Sequence, residues 1–171
     1  MKRRVYVAIT IPEELQAKVL AWQGKHKLPV RWIKGKNLHI TLVPPWYCEN
    51  IEEVKEQLQR LEKHRPFEIA INTLTYGPSY SRPRVIWATG PSVKEILDLQ
   101  EHVESALGAH HERSFRLHVT LARFNPEKFR PTQKINEQVD WRFTVNSIVL
   151  MESHLSQQGA DYEVLKKIEF H

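Results

Sequence analysis

The stretch 37-NLHITLV-43 returns, slightly altered, as 116-RLHVTLAR-123. Both copies run apolar, His, β-branched, Thr, Leu. In a strand, successive side chains point to opposite faces. Leu38, Ile40 and Leu42 are therefore expected to turn one way, and His39 with Thr41 the other. The second copy divides alike, with Leu117, Val119 and Leu121 inward and His118 with Thr120 outward. Each strand then offers an imidazole and a hydroxyl on one face, roughly 6.5–7 Å apart along the backbone.

Working outward, the same order of elements surrounds each copy. Val5 to Ile11 reads as a strand, and Pro12-Glu13-Glu14 suits the start of a helix with Leu15, Val19 and Trp22 as its apolar stripe. VRWI precedes the first copy. Asn50 with Glu53 forms a capping pattern for a second helix carrying Ile51, Val54, Leu58 and Leu61, and Phe67 to Tyr76 alternates as a strand that Gly77-Pro78 ends. The pattern then restarts. Arg84 to Ala88 is a strand, Ser92 with Glu95 caps a third helix bearing Ile96, Leu99, Val103 and Leu107, and Gly108 sits where a left-handed terminus is wanted. FRLHVTLARF follows, then a polar connection and strands over Arg142 to Met151 and Tyr162 to Phe170. Ala8 and Ala88 are 80 residues apart, His39 and His118 are 79, and Phe67 and Phe143 are 76. This near-constant offset predicts an internal duplication with repeats of roughly 1–81 and 82–171 inside a single two-lobed domain.

Bulk properties narrow the function classes. The chain has 171 residues, enough for a substantial core without metals or disulfides. No apolar run approaches the ~20 residues of a membrane span, and MKRRVYVAITIPEEL reads as a first strand and not as a signal peptide, because Pro12 and two glutamates interrupt it. The single Cys48 fits a reducing cytoplasm. Net charge is +5 and pI about 9.3, which favours polyanion partners. The charges are dispersed, so any basic surface must be assembled by folding.

Two facing His/Thr strands suit in-line displacement at phosphorus, where attacking and leaving oxygens lie on opposite sides. One imidazole removes a proton and the other supplies one, while the hydroxyls donate to the non-bridging oxygens. Neither a metal nor a cofactor is required, and there is no Walker loop, zinc signature or Gly-x-Ser-x-Gly elbow. The group His110, His111 and His118 lacks ligand spacing and reads as a polar loop. Cys48 lacks an acid–base partner in sequence. His26, His64, His102, His154 and His171 read as solvated.

VYVAITIPEEL, VRWIKGKNLHITLV, RPRVIWA and FRLHVTLAR together resemble the two-histidine phosphoesterase superfamily, specifically the RNA 2′,3′-cyclic phosphodiesterases historically named 2′-5′ RNA ligases. The resemblance implies an α+β fold, bilobal through internal duplication, with two antiparallel sheets flanking a central cleft and helices outside. It also implies hydrolysis of a 2′,3′-cyclic phosphate at an RNA 3′ end to a 2′-phosphate, with reversible 2′-5′ ligation as a related reaction. By analogy His39 is the proton donor to the leaving oxygen and His118 the base that activates water. Thr41, Thr120 and Arg123 bind phosphate, and the partner is an RNA 3′ end or a nucleotide with a cyclic phosphate. A monomer that contacts no membrane is expected. Two other readings stand beside this one: a phosphodiesterase for small cyclic nucleotides or cyclic ADP-ribose derivatives, and a non-catalytic nucleotide- or RNA-binding module.

The sequence departs from the family where Val43-Pro44-Pro45-Trp46-Tyr47 replaces a common Arg-Phe-Leu-Gly. That change is expected to give a stiff aromatic turn with one positive charge fewer, and Leu117 replaces a frequent proline. Lys34, Lys36, Arg82, Arg84, Arg113, Arg116 and Arg130 are candidates for an RNA path. Tyr6, Trp32, Trp46, Tyr47, Tyr80 and Phe124 are candidate base-stacking platforms.

Overall fold

In the computed structural model, which describes residues 1–171, the alternating segments become nine strands and the 3.6-period segments three α-helices. The order is β1 (Arg3–Thr10), α1 (Glu13–Gly24), β2 (Arg31–Trp32), β3 (His39–Cys48), α2 (Ile51–Gln59), β4 (Phe67–Gly77), β5 (Val85–Thr89) and α3 (Lys94–Leu107). Then come β6 (His118–Arg123), β7 (Asn136–Val145), β8 (Ser147–Ser156) and β9 (Gly159–Glu169). The strands form two sheets, ordered β3-β1-β8-β9 and β2-β6-β5-β4-β7, and every pairing is antiparallel. This is the bilobal α+β architecture expected. No helix is long and apolar enough to cross a membrane.

Alternation sorts each strand. In β1, Val5, Val7 and Ile9 join an apolar core of 34 residues, whereas Tyr6 and Ala8 turn to the other face beside Val149 and Met151. The core takes in both sheets and the stripes of all three helices, so the lobes share one interior. The expected stripes are buried: Leu15, Val19 and Trp22 on α1, Ile51, Val54 and Leu58 on α2, and Ile96, Leu99 and Val103 on α3. Asn50 caps α2, its Oδ1 accepting from the Glu53 N–H at 3.2 Å. Gly108 ends α3 with φ of 62°, the left-handed conformation that glycine adopts without a Cβ penalty.

Four expectations are revised. The strand read over 142–151 is two strands in different sheets, because the chain crosses at Asn146 from β7 to β8. No Gly or Pro marks the crossing, only the polar pair Asn146-Ser147 between apolar residues. Ser92 does not cap α3; Val93 holds that position, and the Ser92 hydroxyl instead accepts from the Leu117 N–H at 3.0 Å, beside His118. The VPPWY segment is not a turn. It continues β3 to Cys48, and prolines are tolerated there because β3 is an edge strand. Finally, His26 is not solvated: its ring stacks 4.0 Å from Trp22 and its Nδ1 lies 2.7 Å from the Trp22 carbonyl, and the half-buried His64 places its Nε2 2.9 Å from Nδ1 of His102, which is exposed as expected.

The register also sharpens the offsets. Thr10 stands opposite His39 and Thr89 opposite His118, and Ala8 opposite Thr41 as Trp87 is opposite Thr120. Each residue of these four pairs is 79 positions from its counterpart in the other sheet. Ala88, by contrast, is a core residue paired with Val119, so Ala8 and Ala88 are not equivalent. Phe67 and Phe143 lie on neighbouring strands of one sheet. By position in the sheets the counterpart of β4 is β8, each next to the strand that flanks a His-x-Thr strand. If 1–81 and 82–171 are taken as repeats, each lends strands to the other's sheet.

Candidate active site

The two His-x-Thr strands approach each other between the lobes. Along the first motif, Leu38, just before β3, and Ile40 and Leu42 within it are buried, and His39 and Thr41 are half-buried on the opposite face. Along the second motif, Leu117, just before β6, and Val119 and Leu121 within it are buried while His118 and Thr120 are half-buried. Each imidazole is anchored in the same way. His39 Nδ1 lies 2.7 Å from the Asn37 carbonyl and His118 Nδ1 lies 2.9 Å from the Arg116 carbonyl. A carbonyl only accepts, so Nδ1 carries the proton in both rings and Nε2 is the nitrogen left to exchange one.

A bulge follows each motif at the same place. Leu42 has no partner between the Thr41–Ala8 and Val43–Val7 pairs, and Leu121 has none between Thr120–Trp87 and Ala122–Ile86. One extra residue inverts the alternation beyond it. Arg123 is thereby paired with Val85 and returned to the face of Thr120 and His118, which strict alternation from His118 would forbid. The carbonyls of the two bulged leucines are both met by glutamine amides from helices: Gln23 of α1 reaches Leu121 O at 3.1 Å, and Gln100 of α3 reaches Leu42 O at 3.4 Å. Each helix belongs to the other half of the chain from the leucine that it supports.

Beneath each histidine lies a buried aromatic ring. Tyr6, 2% exposed, sits 5.1 Å from His39, and Trp87, 7% exposed, sits 4.8 Å from His118. Tyr162 closes edge-on against both Tyr6 and His39, at 5.3 and 5.2 Å. On the other side the Arg116 guanidinium covers Trp87 at 4.8 Å. Trp87 needs Gly77 beneath it, since a Cβ there would lie 2.2 Å from the indole. The Tyr6 hydroxyl and Trp87 indole N–H are buried without a protein partner.

The cleft on the His39 side has a volume of about 420 Å³. Arg4, Arg31 and Arg123 line it with Thr41 and Tyr162, and no carboxylate does. Burial lowers the pKa of His39, opposed by the Asn37 carbonyl and reinforced by the charges of Arg123 and His118. Burial lowers that of His118 too, opposed by the Arg116 carbonyl and reinforced by Arg116 and Arg123. Burial together with the neighbouring Tyr162 pushes the Tyr6 phenol well above its ordinary value. The arrangement offers two proton-exchanging nitrogens, two hydroxyls and an uncompensated positive field, which suits an anion that must exchange protons on two sides.

Among the five residues expected to act, His39, Thr41 and Arg123 line this cleft, and His118 and Thr120 lie on the β6 face with Arg123. Arg31, Tyr162 and Gly159 were not anticipated. Arg31 pairs with Arg123 across β2 and β6, and a Cβ on Gly159 would lie 3.3 Å from its guanidinium. A basic residue in a strand just before the first motif was the one signal for Arg31; Tyr162 comes from a distant hairpin and left none. Of the other candidates, Lys36 is paired with Asp161 at 3.0 Å and Arg116 is spent on Trp87. Trp46 lines an apolar pocket beside α2, and Trp32 packs edge-on to Trp22. His111 donates to Glu104 at 2.7 Å and joins no ligand cluster with His118.

Similar proteins agree with this frame. No curated protein matches the sequence. The solved structure of TT0787 of Thermus thermophilus aligns with a TM-score of 0.83 at 24% identity, covering 98% of this chain and 97% of that one. E. coli LigT in apo form aligns at 0.80 and 22%, covering 99% and 98%, and LigT complexed with 3′-AMP aligns at 0.80 and 22%, covering 99% of both chains. At these identities the structures establish the shared fold. The model of the 2′-5′ RNA ligase superfamily matches residues 11–157. The chain, with both His-x-Thr strands inside that match, belongs to the 2′-5′ RNA ligase superfamily.

Proposed function

We propose that this protein hydrolyses the 2′,3′-cyclic phosphate at an RNA 3′ end to a 2′-phosphate, without a metal or other cofactor. The observation that carries the reading is the matched anchoring of His39 and His118, which leaves Nε2 of each free, with His39 in an arginine-lined, carboxylate-free cleft and His118 on the β6 face that it shares with Arg123. His118 Nε2 takes a proton from water as the water oxygen bonds to phosphorus. The P–O3′ bond breaks, and His39 Nε2 gives its proton to the departing 3′ oxygen. Thr41 and Thr120 donate to the non-bridging oxygens, and Arg123 neutralises the charge gathering on them. Two imidazoles of lowered pKa meet the need for one proton acceptor and one readily released proton. With a 5′-hydroxyl in place of water as the nucleophile, the same displacement would make a 2′-5′ linkage. The setting proposed is cytoplasmic, with the chain acting as a monomer.

That E. coli LigT has been solved with 3′-AMP supports a nucleotide in the cleft. The test is an oligonucleotide ending in a 2′,3′-cyclic phosphate, incubated with the protein in EDTA. Conversion to a 2′-phosphate is expected. Absence of conversion, or equal conversion by a His39→Ala/His118→Ala double variant, overturns the reading and favours a binding module.

A further inference from the structure

Outside the cleft, a trough of about 1030 Å³ opens between segments 78–84 and 126–134. Arg82, Arg84, Arg130 and Lys134 line it against one carboxylate, Glu127. None of these four cations is held in an ion pair. Unpaired cations around a concavity leave a field for a polyanion. The trough also holds a fixed, accessible aromatic face: Tyr80 is 55% exposed, yet the buried Thr75 hydroxyl donates to its phenol oxygen at 2.6 Å. An exposed ring whose position is already set gives up little freedom when a base stacks on it.

Shared walls link the trough to the cleft through an intervening hollow. Arg31 and Arg123 line the cleft and also a shallow hollow of about 410 Å³ containing Lys128 and Phe129, and Phe129 lines the trough in turn. Edge-to-face contacts of Phe124 with Tyr76 and Phe129, at 5.9 and 5.1 Å, stiffen this passage.

We propose that the trough binds the body of a single-stranded RNA whose phosphorylated end occupies the cleft, making the protein an end-processing enzyme for polymers in preference to mononucleotides. The end-group chemistry rests on the function proposed above; the trough rests on its own charge, its aromatic face and the walls that link it to the cleft. A single strand is specified because only unpaired bases can stack on Tyr80 while their phosphates meet the arginines.

The experiment compares a decamer RNA and a 2′,3′-cyclic mononucleotide in the wild type, Arg82→Glu/Arg130→Glu and Tyr80→Ala. The wild type should favour the decamer. The double charge reversal should lower that preference about tenfold through KM and flatten its salt dependence, and Tyr80→Ala should lower it several-fold. Equal losses on both substrates, or an unchanged preference, overturn the proposal. If neither substrate reacts, the cleft reading fails and binding decides the trough alone. Fluorescence anisotropy of a labelled decamer with a 3′-hydroxyl then supports it if Arg82→Glu/Arg130→Glu binds more weakly, and overturns it if binding is equal.

Discussion

The His39 and His118 flanks share a backbone plan and differ in what surrounds it. Both have an Nδ1–H held by the carbonyl two residues earlier, a bulge after Thr-Leu and a glutamine amide on the bulged carbonyl. Five residues after its histidine, however, β6 places Arg123, whereas β3 places Pro44, followed by Pro45 in the cleft wall. Tyr6 and Tyr162 enclose His39 in rings, while Trp87 carries Arg116 beside His118. Backbone geometry decides which atom exchanges the proton, and the surroundings decide how much positive charge each imidazole feels. Proton transfer can therefore be nearly symmetric while charge and shape are not.

The strongest way to break the comparison is to remove an imidazole. His39→Ala and His118→Ala should each lower kcat roughly 10²–10⁴-fold. The double variant should lose little more than the worse single variant, since the two groups act in one step. Fully multiplicative losses in single-turnover assays would contradict that coupling.

Arg123 is the charge both flanks share, so Arg123→Ala tests the asymmetry more finely. Its loss should lower kcat/KM about 10–100-fold. In the wild type, both histidines have pKa values below the ordinary value of about 6.5. The free enzyme thus loses its protonated imidazole as pH rises through a value on the acid side of 6.5, and both limbs of a bell-shaped kcat/KM profile should lie there. An anionic substrate favours the charged imidazole and should carry the kcat limbs upward. Arg123→Ala should raise both limbs, whereas Arg116→Ala should raise one. A profile flat from pH 5 to 8.5 would refute the roles.

Gly77→Ala attacks only the His118 flank. A Cβ at 2.2 Å from the Trp87 ring must displace it, at about 1–3 kcal/mol of stability, and kcat should fall about tenfold with the His118 support moved. Thermal unfolding and turnover read the two effects separately. The smallest effect is expected from Tyr6→Phe, which removes a buried hydroxyl that has no protein partner. Stability should hold or rise by about 1 kcal/mol, and a marked loss would mean that the hydroxyl is satisfied in solution.

Much of this was legible because it follows from local periodicity. Alternation in NLHITLV and RLHVTLAR separates His and Thr from the core residues, and i, i+3, i+4 spacing marks the faces of α1, α2 and α3. The crossover at Asn146 was hidden because Val145 and Ser147 are both buried and the polar Asn146-Ser147 pair, the one turn signal there, is short enough to read as part of an alternating strand. The continuation of β3 through Pro44-Pro45 was hidden because two prolines read as a break unless the strand is known to be an edge.

The amino-acid sequence by itself determined that two strands would each expose an imidazole and a hydroxyl on one face, since that depends only on the two-residue period of a strand. Tertiary structure alone decided that Arg123 shares their face, because a bulge is a property of the pairing and not of one strand. It also brought Arg31, Tyr162 and the glutamines of opposite helices to the site, because contacts between residues far apart in the chain are set by how the sheets exchange strands. The repeated motif supplied the proton-exchanging groups, and the fold set the charge and walls around them.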